Sequence, residues 1–248
     1  MRVLMIAPPG AGKGTQGALI AAHFGIPHIA TGELLRDQVA RQTDLGRAVQ
    51  QHLERGELVP DEIVLDMVRQ ALVAAAAVGG GYVLDGIPRY MQQARATYLI
   101  ARELGMTANV ALHLQVEDGE LVRRLLARAA LEGRADDTEA VIRRRLQVYH
   151  QVTRPIVAWY AERGILVSVD AMRPPEQVGR EILAALEVMR PLVDHVPEEA
   201  RRAVDLTSLG SPSAPHPHPQ TPPARPSSPP WRSSSRRACC GRSQVTVG

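Results

Sequence analysis

The stretch APPGAGKGTQ, residues 7–16, combines glycines, a lysine and a threonine as loops that hold nucleotide phosphates do. A phosphate-binding P-loop reads G-x-x-x-x-G-K-[ST], in which backbone N–H groups surround the phosphates and a hydroxyl group directly follows the lysine. This sequence departs from that pattern twice, because Ala7 replaces the first glycine and Gly14 stands between Lys13 and Thr15. The alternative to a phosphate site is an ordinary glycine-rich turn.

The residues around this loop favour the phosphate site. The apolar run at 2–7 predicts a buried strand before the loop, and a helical pattern follows it, which is the context that a P-loop requires. Gly10, Gly12 and Gly14 leave the backbone free to wrap around a phosphate. We expect Thr15 to cap the helix and to bind a phosphate oxygen.

Lys13 is the only lysine of the chain, and the other 28 of the 29 basic residues are arginine. A compact ammonium group can reach the β- and γ-phosphates of a nucleotide from this loop. The retention of a single lysine at this place supports a phosphate site.

The charge of the chain is unevenly distributed. Residues 211–248 contain five arginines and no acidic residue, whereas the rest of the chain contains 24 basic and 26 acidic residues. The basic pI therefore belongs to the C-terminal segment, and we expect no nucleic-acid partner for the remainder.

The number of cysteines and the length of the apolar runs argue against a disulfide-linked, zinc-containing or membrane-spanning protein. Cys239 and Cys240 are the only cysteines, so the sequence predicts neither a disulfide framework nor a structural zinc site. No apolar run approaches the ~20 residues that a membrane span needs. The apolar run near the N-terminus is too short for a signal peptide, and we expect a cytoplasmic protein without membrane contact.

Short apolar runs alternate with helical patterns along residues 1–190. Strands are predicted at 2–7, 27–30, 80–85, 110–116 and 165–170. Helices are predicted after the P-loop and at about 32–42, 61–77, 90–104, 117–131, 137–161 and 176–189. This order predicts an α/β protein in which helices cover both faces of a five-stranded parallel sheet, with ligands at the carboxyl ends of the strands.

The C-terminal segment differs in kind from the rest of the chain. Residues 211–248 are rich in proline, serine and arginine and are predicted to be disordered. They form an extension without function or, alternatively, a docking segment for a partner that the sequence does not identify. Residues 191–210 are predicted to add a weak helix between this tail and the 1–190 domain.

The segment PPGAGKGTQ, with G-K-G-T after the central glycines, resembles the nucleoside monophosphate kinases, and among them adenylate kinase most of all. In that family a glycine after the lysine is normal, and only Ala7 remains as a departure. The resemblance implies a three-layer P-loop fold with a helical monophosphate-binding segment at 30–60 and a short lid at about 125–137. It also implies an ATP site at the P-loop, formed by Gly10, Ala11, Gly12, Lys13, Gly14 and Thr15.

Three further segments resemble the acceptor site of the same family: ATGELLR at 30–36, GELVP at 56–60 and LDGIPR at 84–89. Without the family, Thr31 would be a helix N-cap and Arg36 a surface residue. With it, Thr31 and Gln93 bond the acceptor base, and Arg89 holds its phosphate. The resemblance implies an AMP site of Thr31, Arg36, Glu57, Leu58, Val59, Gly86, Ile87, Pro88, Arg89, Gln93, Arg134 and Arg145.

Asp85 ends a predicted strand inside LDGIPR, where Ile87 replaces the aromatic residue that is usual in the family. A carboxylate at this place can hold Mg²⁺ through water molecules. We expect Mg²⁺ to enter with ATP. The short lid implies no structural zinc.

Residues 123–145 are dense in arginine. From composition alone, this region is a basic solvated helical face or an RNA-contacting one. The family resemblance assigns Arg124 to the ATP base, Arg128 to the ATP phosphates, and Arg134 and Arg145 to the transferred phosphoryl group. It also assigns the backbone carbonyl of Arg173 to adenine. The expected catalytic residues are Lys13, Arg89, Arg134 and Arg145.

The reaction that these residues imply is MgATP + AMP ⇌ 2 ADP, catalysed by a monomer that binds the two nucleotides as small-molecule substrates. Two alternatives stay open at this point. The chain could be a UMP or CMP kinase of the same family, or a nucleotide-binding scaffold that has lost the transfer activity. Thr31 and Gln93 favour AMP. Lys13 and Asp85 argue against lost activity.

Overall fold

The computed structural model of the chain describes residues 1–132 and 138–195. The strands are β1 (Arg2–Ile6), β2 (His28–Ala30), β3 (Tyr82–Asp85), β4 (Val110–Gln115) and β5 (Leu166–Asp170). The helices are α1 (Lys13–Phe24), α2 (Thr31–Ala40), α3 (Asp44–Glu54), α4 (Asp61–Ala77), α5 (Met91–Glu103), α6 (Asp118–Glu132), α7 (Glu139–Val148), α8 (Pro155–Glu162) and α9 (Pro175–His195).

The five strands form one parallel sheet in the order β2-β3-β1-β4-β5. The chain leaves the central strand β1, builds one side of the sheet with β2 and β3, and then crosses to the other side for β4 and β5. The carboxyl end of β1 therefore lies at the point where the winding direction changes, which is where open α/β sheets bind ligands. The predicted α/β class and five-stranded parallel sheet are confirmed.

Alternate residues of β1 face opposite layers of the protein. Leu4 and Ile6 pack in one core with the apolar faces of α4, α5 and α8, whereas Val3 and Met5 pack in a second core with α1, α6 and α9. The part of a strand that is buried on both faces must be apolar, which explains the unbroken run VLMI after the partly buried Arg2. The result is the expected three-layer arrangement.

Two helical predictions need correction. The sequence pattern predicts no separate helix at 44–54, although the family resemblance implies a helical segment at 30–60; α3 occupies these residues, with Thr43 as an N-cap whose hydroxyl accepts from the Gly46 N–H. The single helix predicted at 137–161 is instead α7, a π-helical turn at Tyr149–Thr153 and α8. Pro155 explains the interruption, because its ring clashes with the carbonyl of residue 151 and it has no N–H to donate.

The limits of the described residues affect the predictions for the last helix, for the C-terminal segments and for the lid. Helix α9 continues to His195, beyond the predicted end at 189, and so enters the segment 191–210. The rest of that segment and the tail at 211–248 lie outside the described residues, as do residues 133–137 of the predicted lid. Within the described part, no helix is both long and apolar enough to cross a membrane.

Candidate active site

The P-loop joins the central strand β1 to α1. Gly12 is the N-cap of α1 at a φ of 90°, and Gly10 has a φ of 85°. Both values lie in the left-handed region that glycine adopts without strain. A Cβ atom on Gly12 would meet nothing within 4 Å, so open space lies beside the loop for a ligand. The prediction that Thr15 caps the helix is wrong, since the helix begins two residues earlier and Thr15 lies in its first turn.

Gly10 is required for packing as well as for backbone conformation. A Cβ atom there would lie 2.8 Å from Leu125 Cγ and 3.2 Å from the Leu121 carbonyl oxygen of α6. We expect Gly10→Ala to lower the free energy of unfolding by about 2–5 kcal/mol, through the sum of positive-φ strain and overpacking. Gly12→Ala is the matched control, because it adds only the strain, about 1–2 kcal/mol. Urea denaturation of both variants tests this, and an equal or smaller loss for Gly10→Ala would contradict it.

Lys13 folds back over the loop that carries it. Its Nζ donates to the carbonyl oxygens of Ala7 and Pro8, each at 3.1 Å. The contact at position 7 is therefore made by the backbone, which alanine supplies as well as glycine does. This contact explains how the loop tolerates Ala7, whose methyl group is buried in the second core.

Burial and neighbouring positive charges lower the pKa of the Lys13 ammonium group. Desolvation lowers the pKa of Lys13 to about 8 from 10.5, Asp85 opposes this change, and three arginines add to it: Arg89, Arg145 and Arg128. In the free protein the ammonium group therefore loses its proton as the pH rises through about 8. Nucleotide phosphates favour the charged form and raise this pKa again.

ATP binding is accordingly expected to take up a proton at Lys13 above pH 8 and to weaken as the pH rises from about 8 towards 10.5. Reductive methylation with ¹³C-formaldehyde labels only Lys13 and the N-terminal amine, since the chain has one lysine. An NMR titration should give a Lys13 pKa of about 8 that increases when ATP is added. Lys13→Met identifies the N-terminal signal. A pKa near 10.5 in the free protein would contradict the expectation.

Asp85 ends β3 beside the P-loop and is 9% exposed. Its Oδ1 is buried without a hydrogen-bond partner in the described structure. An orphaned carboxylate oxygen on a residue beside the P-loop is a fitting acceptor for the water shell of a hard cation such as Mg²⁺. Within residues 1–132 and 138–195, no group of three or more His, Cys, Asp or Glu side chains could hold a metal ion directly.

A cleft of about 450 Å³ opens at the carboxyl ends of the strands. The predicted residues that line it come from the P-loop and the start of α1, from α2, from the segment between α3 and α4, from the end of β3 and the residues after it, and from the arginine-rich helices α6 and α7. They are Gly10, Gly12, Lys13, Gly14, Thr15, Arg36, Leu58, Asp85, Gly86, Pro88, Arg89, Arg124, Arg128 and Arg145. The structure therefore brings the sole lysine and five arginines together around one space.

Two of these arginines illustrate how the cleft is built. Arg124 is held by Glu120 one turn earlier in α6, with Nε donating to Oε1 at 2.7 Å. Hydrogen bonds from Arg123 and Arg124 lower the pKa of Glu120 to about 2. At the other wall, desolvation and the positive charges of Arg145 and Arg36 lower the pKa of Arg89, against the influence of Asp85. The wall of the cleft is strongly electropositive, as a polyanionic ligand requires.

The cleft continues into a second pocket between α2, α4 and α5. Thr31, Glu57, Val59 and Gln93 line it, together with residues that the two pockets share, among them Arg145. The predicted N-cap role of Thr31 is wrong, because α2 begins at Thr31 after Ala30. Its hydroxyl instead donates to the Asp85 carbonyl at 3.1 Å, which ties the two predicted acceptor segments together.

Among the described residues, three of the predicted site residues line neither pocket. Ala11 and Ile87 are buried in the cores, with 2% and 1% of their surface exposed. The Arg173 side chain pairs with Asp170 and Glu181 away from the cleft. Arg134 lies outside the described residues.

Several residues of the cleft wall were not predicted from the sequence. Glu33 of α2 and the π-helical residues Tyr149 and Thr153 line it. The Tyr149 hydroxyl lies 3.1 Å from Nε2 of His113 on β4, and burial followed by the charge of Arg154 lowers the pKa of His113. Pro155 was the sequence signal for this region, because a proline interrupts the α-helix before it and the interruption here is a π-helical turn. Such turns occur often at functional sites.

Comparison with known proteins agrees with this geometry. The family model for adenylate kinase matches residues 5–165. The adenylate kinase of Kocuria rhizophila is 46% identical over 186 residues, and that of Thermobifida fusca is 43% identical over 187 residues; each match covers 75% of this chain and 98% of the relative. The adenylate kinase of Thermus thermophilus is 43% identical over 186 residues, with 75% and 97% covered. The chain belongs to the adenylate kinase family.

Proposed function

We propose that the chain transfers the γ-phosphoryl group of MgATP to AMP, giving two molecules of ADP. The observation that carries this proposal is the continuous cleft that joins a P-loop with its lysine to a second pocket lined by Thr31 and Gln93. Arginines line the junction. Such a cleft holds two nucleotides end to end, with their phosphates between the lysine and the arginines.

The P-loop end of the cleft binds ATP. Backbone N–H groups of the loop and the N-terminus of α1 face the phosphates, and Lys13 neutralises them. Arg124 and Arg128 extend this site along α6. Ala11 and the Arg173 carbonyl are proposed contacts that rest on the family resemblance alone.

The second pocket binds AMP. Arg36 and Arg89 hold its phosphate, and the apolar side chains of Leu58 and Val59 and the polar groups of Thr31 and Gln93 surround its base. Glu57, Gly86, Ile87 and Pro88 shape this pocket from the loop and strand end. The arrangement leaves the AMP phosphate facing the γ-phosphate of ATP.

The chemical step needs no protein nucleophile. An oxygen of the AMP phosphate bonds to the γ-phosphorus, while the bond from that phosphorus to the oxygen shared with the β-phosphate breaks and ADP leaves. Charge spreads over the three equatorial oxygens during transfer, so catalysis consists of positioning and electrostatic stabilisation. Lys13, Arg89, Arg145 and Arg134 supply the positive charge.

Asp85 is the residue that would hold Mg²⁺ through water, on the evidence of its unbonded buried Oδ1. When bound, Mg²⁺ neutralises the charge that develops on the β- and γ-phosphates. Structural zinc is not part of this proposal. A cytoplasmic monomer with a short lid remains our prediction for location, assembly and the segment 125–137.

Family membership favours this function over the alternatives. The relatives described above are named adenylate kinases, and no observation favours a UMP or CMP kinase. A decayed scaffold would have lost the groups that contact phosphate, yet Lys13, Asp85 and Arg89 all line the cleft.

The reverse reaction tests the proposal with a single substrate. Incubation of the full chain with MgADP alone should produce ATP and AMP in equal amounts, as measured by chromatography of the nucleotides. A pyrimidine monophosphate kinase would convert ADP slowly and would require UDP or CDP for rapid ATP formation. Absence of any ATP from ADP would contradict the proposed function.

A further inference from the structure

The acceptor pocket contains an amide whose two ends are fixed by groups of opposite hydrogen-bonding type. Gln93 on α5 is 3% exposed and lines this pocket. The Arg89 backbone N–H donates to its Oε1 at 2.7 Å, and its Nε2 donates to Asp61 Oδ1 at 2.9 Å. Both ends of the amide are therefore engaged before any nucleotide binds.

The two partners of Gln93 cannot exchange roles. A backbone N–H only donates and a carboxylate only accepts, so a reversed amide would place two donors together at Arg89 and two acceptors together at Asp61. One lone pair of Oε1 and one N–H of Nε2 remain for a ligand. Gln93 thus presents one acceptor and one donor in a fixed order.

Asp61 is itself held in place. It is the first residue of α4, and its Oδ2 accepts a hydrogen bond from the hydroxyl of Tyr90, the N-cap residue of α5. Burial and the hydrogen bond to Asp61 raise the pKa of Tyr90, so this hydroxyl stays protonated as a donor at neutral pH. Among the described residues, Asp61 is not one that lines the pocket, and its Oδ1 is bonded to Gln93, which does line it.

We propose that Asp61 is a positioning residue that sets the base selectivity of the acceptor site by holding Gln93 in the orientation that suits adenine. This inference rests on the proposed function, because it concerns the acceptor of that reaction. Adenine has a donor at its 6-amino group and an acceptor at N1, whereas hypoxanthine has an acceptor at O6 and a donor at N1. A freely rotating amide matches either base, but a fixed amide matches one and opposes the other with like groups.

The test compares AMP with IMP as acceptors, since these two nucleotides differ only in the groups that Gln93 would read. For Asp61→Ala we expect the ratio of kcat/KM for AMP to that for IMP to fall by about tenfold, because one of the two restraints on Gln93 is lost. The KM for AMP rises, and the KM for ATP stays the same. An unchanged ratio in Asp61→Ala would overturn the inference.

Asp61→Asn separates positioning from a merely structural role. Both variants remove a negative charge from the N-terminus of α4, where the helix dipole stabilises negative charge. Only asparagine keeps an oxygen that can accept from Gln93, so it should retain most of the selectivity. Equal losses in the two variants would show an effect of charge and would also overturn the inference. Asp66→Asn on the same helix is the matched control, because Asp66 is exposed, accepts a hydrogen bond from the exposed Gln70 and is not among the described residues that line either pocket.

Tyr90→Phe gives a second route if Asp61→Ala does not fold. It removes the hydroxyl from Asp61 Oδ2 and leaves the carboxylate free to turn, and we expect a smaller fall in the same ratio. An unchanged ratio in a folded Tyr90→Phe would then overturn the inference. Wild-type protein that fails to phosphorylate AMP would instead contradict the proposed function, so the two failures are distinct.

Discussion

Lys13→Met should lower kcat/KM for ADP formation by about 10³-fold, an effect in the range that single positive groups have in phosphoryl transfer. Methionine preserves the aliphatic stem but removes the ammonium group and its two hydrogen bonds to the loop carbonyls. Lys13→Arg should recover little activity, because a planar guanidinium group cannot take the place of a compact ammonium. A coupled assay of ADP formation from MgATP and AMP measures both variants.

The sole lysine also allows a chemical version of this experiment. An amine-acetylating reagent can modify only Lys13 and the N-terminal amine. The lowered pKa of Lys13, about 8, makes its amine reactive near neutral pH. We expect activity to fall in proportion to acetylation at Lys13, measured by peptide mass spectrometry, and MgATP to slow the reaction. Full activity of Lys13→Met, or of protein acetylated at Lys13, would contradict the role of this residue.

Arg145→Met should lower kcat by about 10³-fold or more, with much smaller changes in the binding of each nucleotide alone. Arg145 lines both pockets, and its charge lowers the pKa of both Lys13 and Arg89. It therefore lies where the two sets of phosphates meet, and its charge matters most when the phosphoryl group is between them. Single-turnover kinetics and calorimetric titrations of ATP and AMP separate the two effects.

Arg143→Met is the matched control for this variant. Arg143 lies on the same helix, has 68% of its side chain exposed, and pairs with Glu139 one turn earlier. We expect it to leave kcat unchanged, since exposed ion pairs contribute little. If Arg145→Met raised only the KM for one nucleotide and left kcat unchanged, Arg145 would be a binding residue and its catalytic role would be wrong.

The sequence predicted the sheet well because its strands are buried on both faces. After Arg2, the strand residues VLMI include no polar position to confuse with a helical pattern, and glycines and prolines mark the ends of neighbouring elements. Helix α3 was not predicted as a separate helix because its apolar residues are few and most of its other positions are polar. Its apolar face consists of Leu45, Val49 and Leu53, which have helical spacing and pack against the core.

Ligand-contacting segments were predictable where local sequence determines the geometry. The P-loop is such a case, because its glycines, its lysine and the start of α1 lie within a few residues of one another. The contacts of Asp61 with Tyr90 and Gln93 are the opposite case, since they join residues about thirty positions apart in sequence. Such contacts follow from the packing of α4 against α5, for which a single sequence carries no signal.

The most direct test of the account is the initial rate of ADP formation from MgATP with AMP, CMP, UMP and GMP offered in turn. We expect rapid turnover with AMP, much slower turnover with the other three acceptors, and loss of the AMP activity in Lys13→Met. Preference for CMP or UMP would leave the phosphate chemistry intact but contradict the assignment of Thr31 and Gln93 to adenine. No turnover with any acceptor, in protein that binds ATP, would contradict the account as a whole.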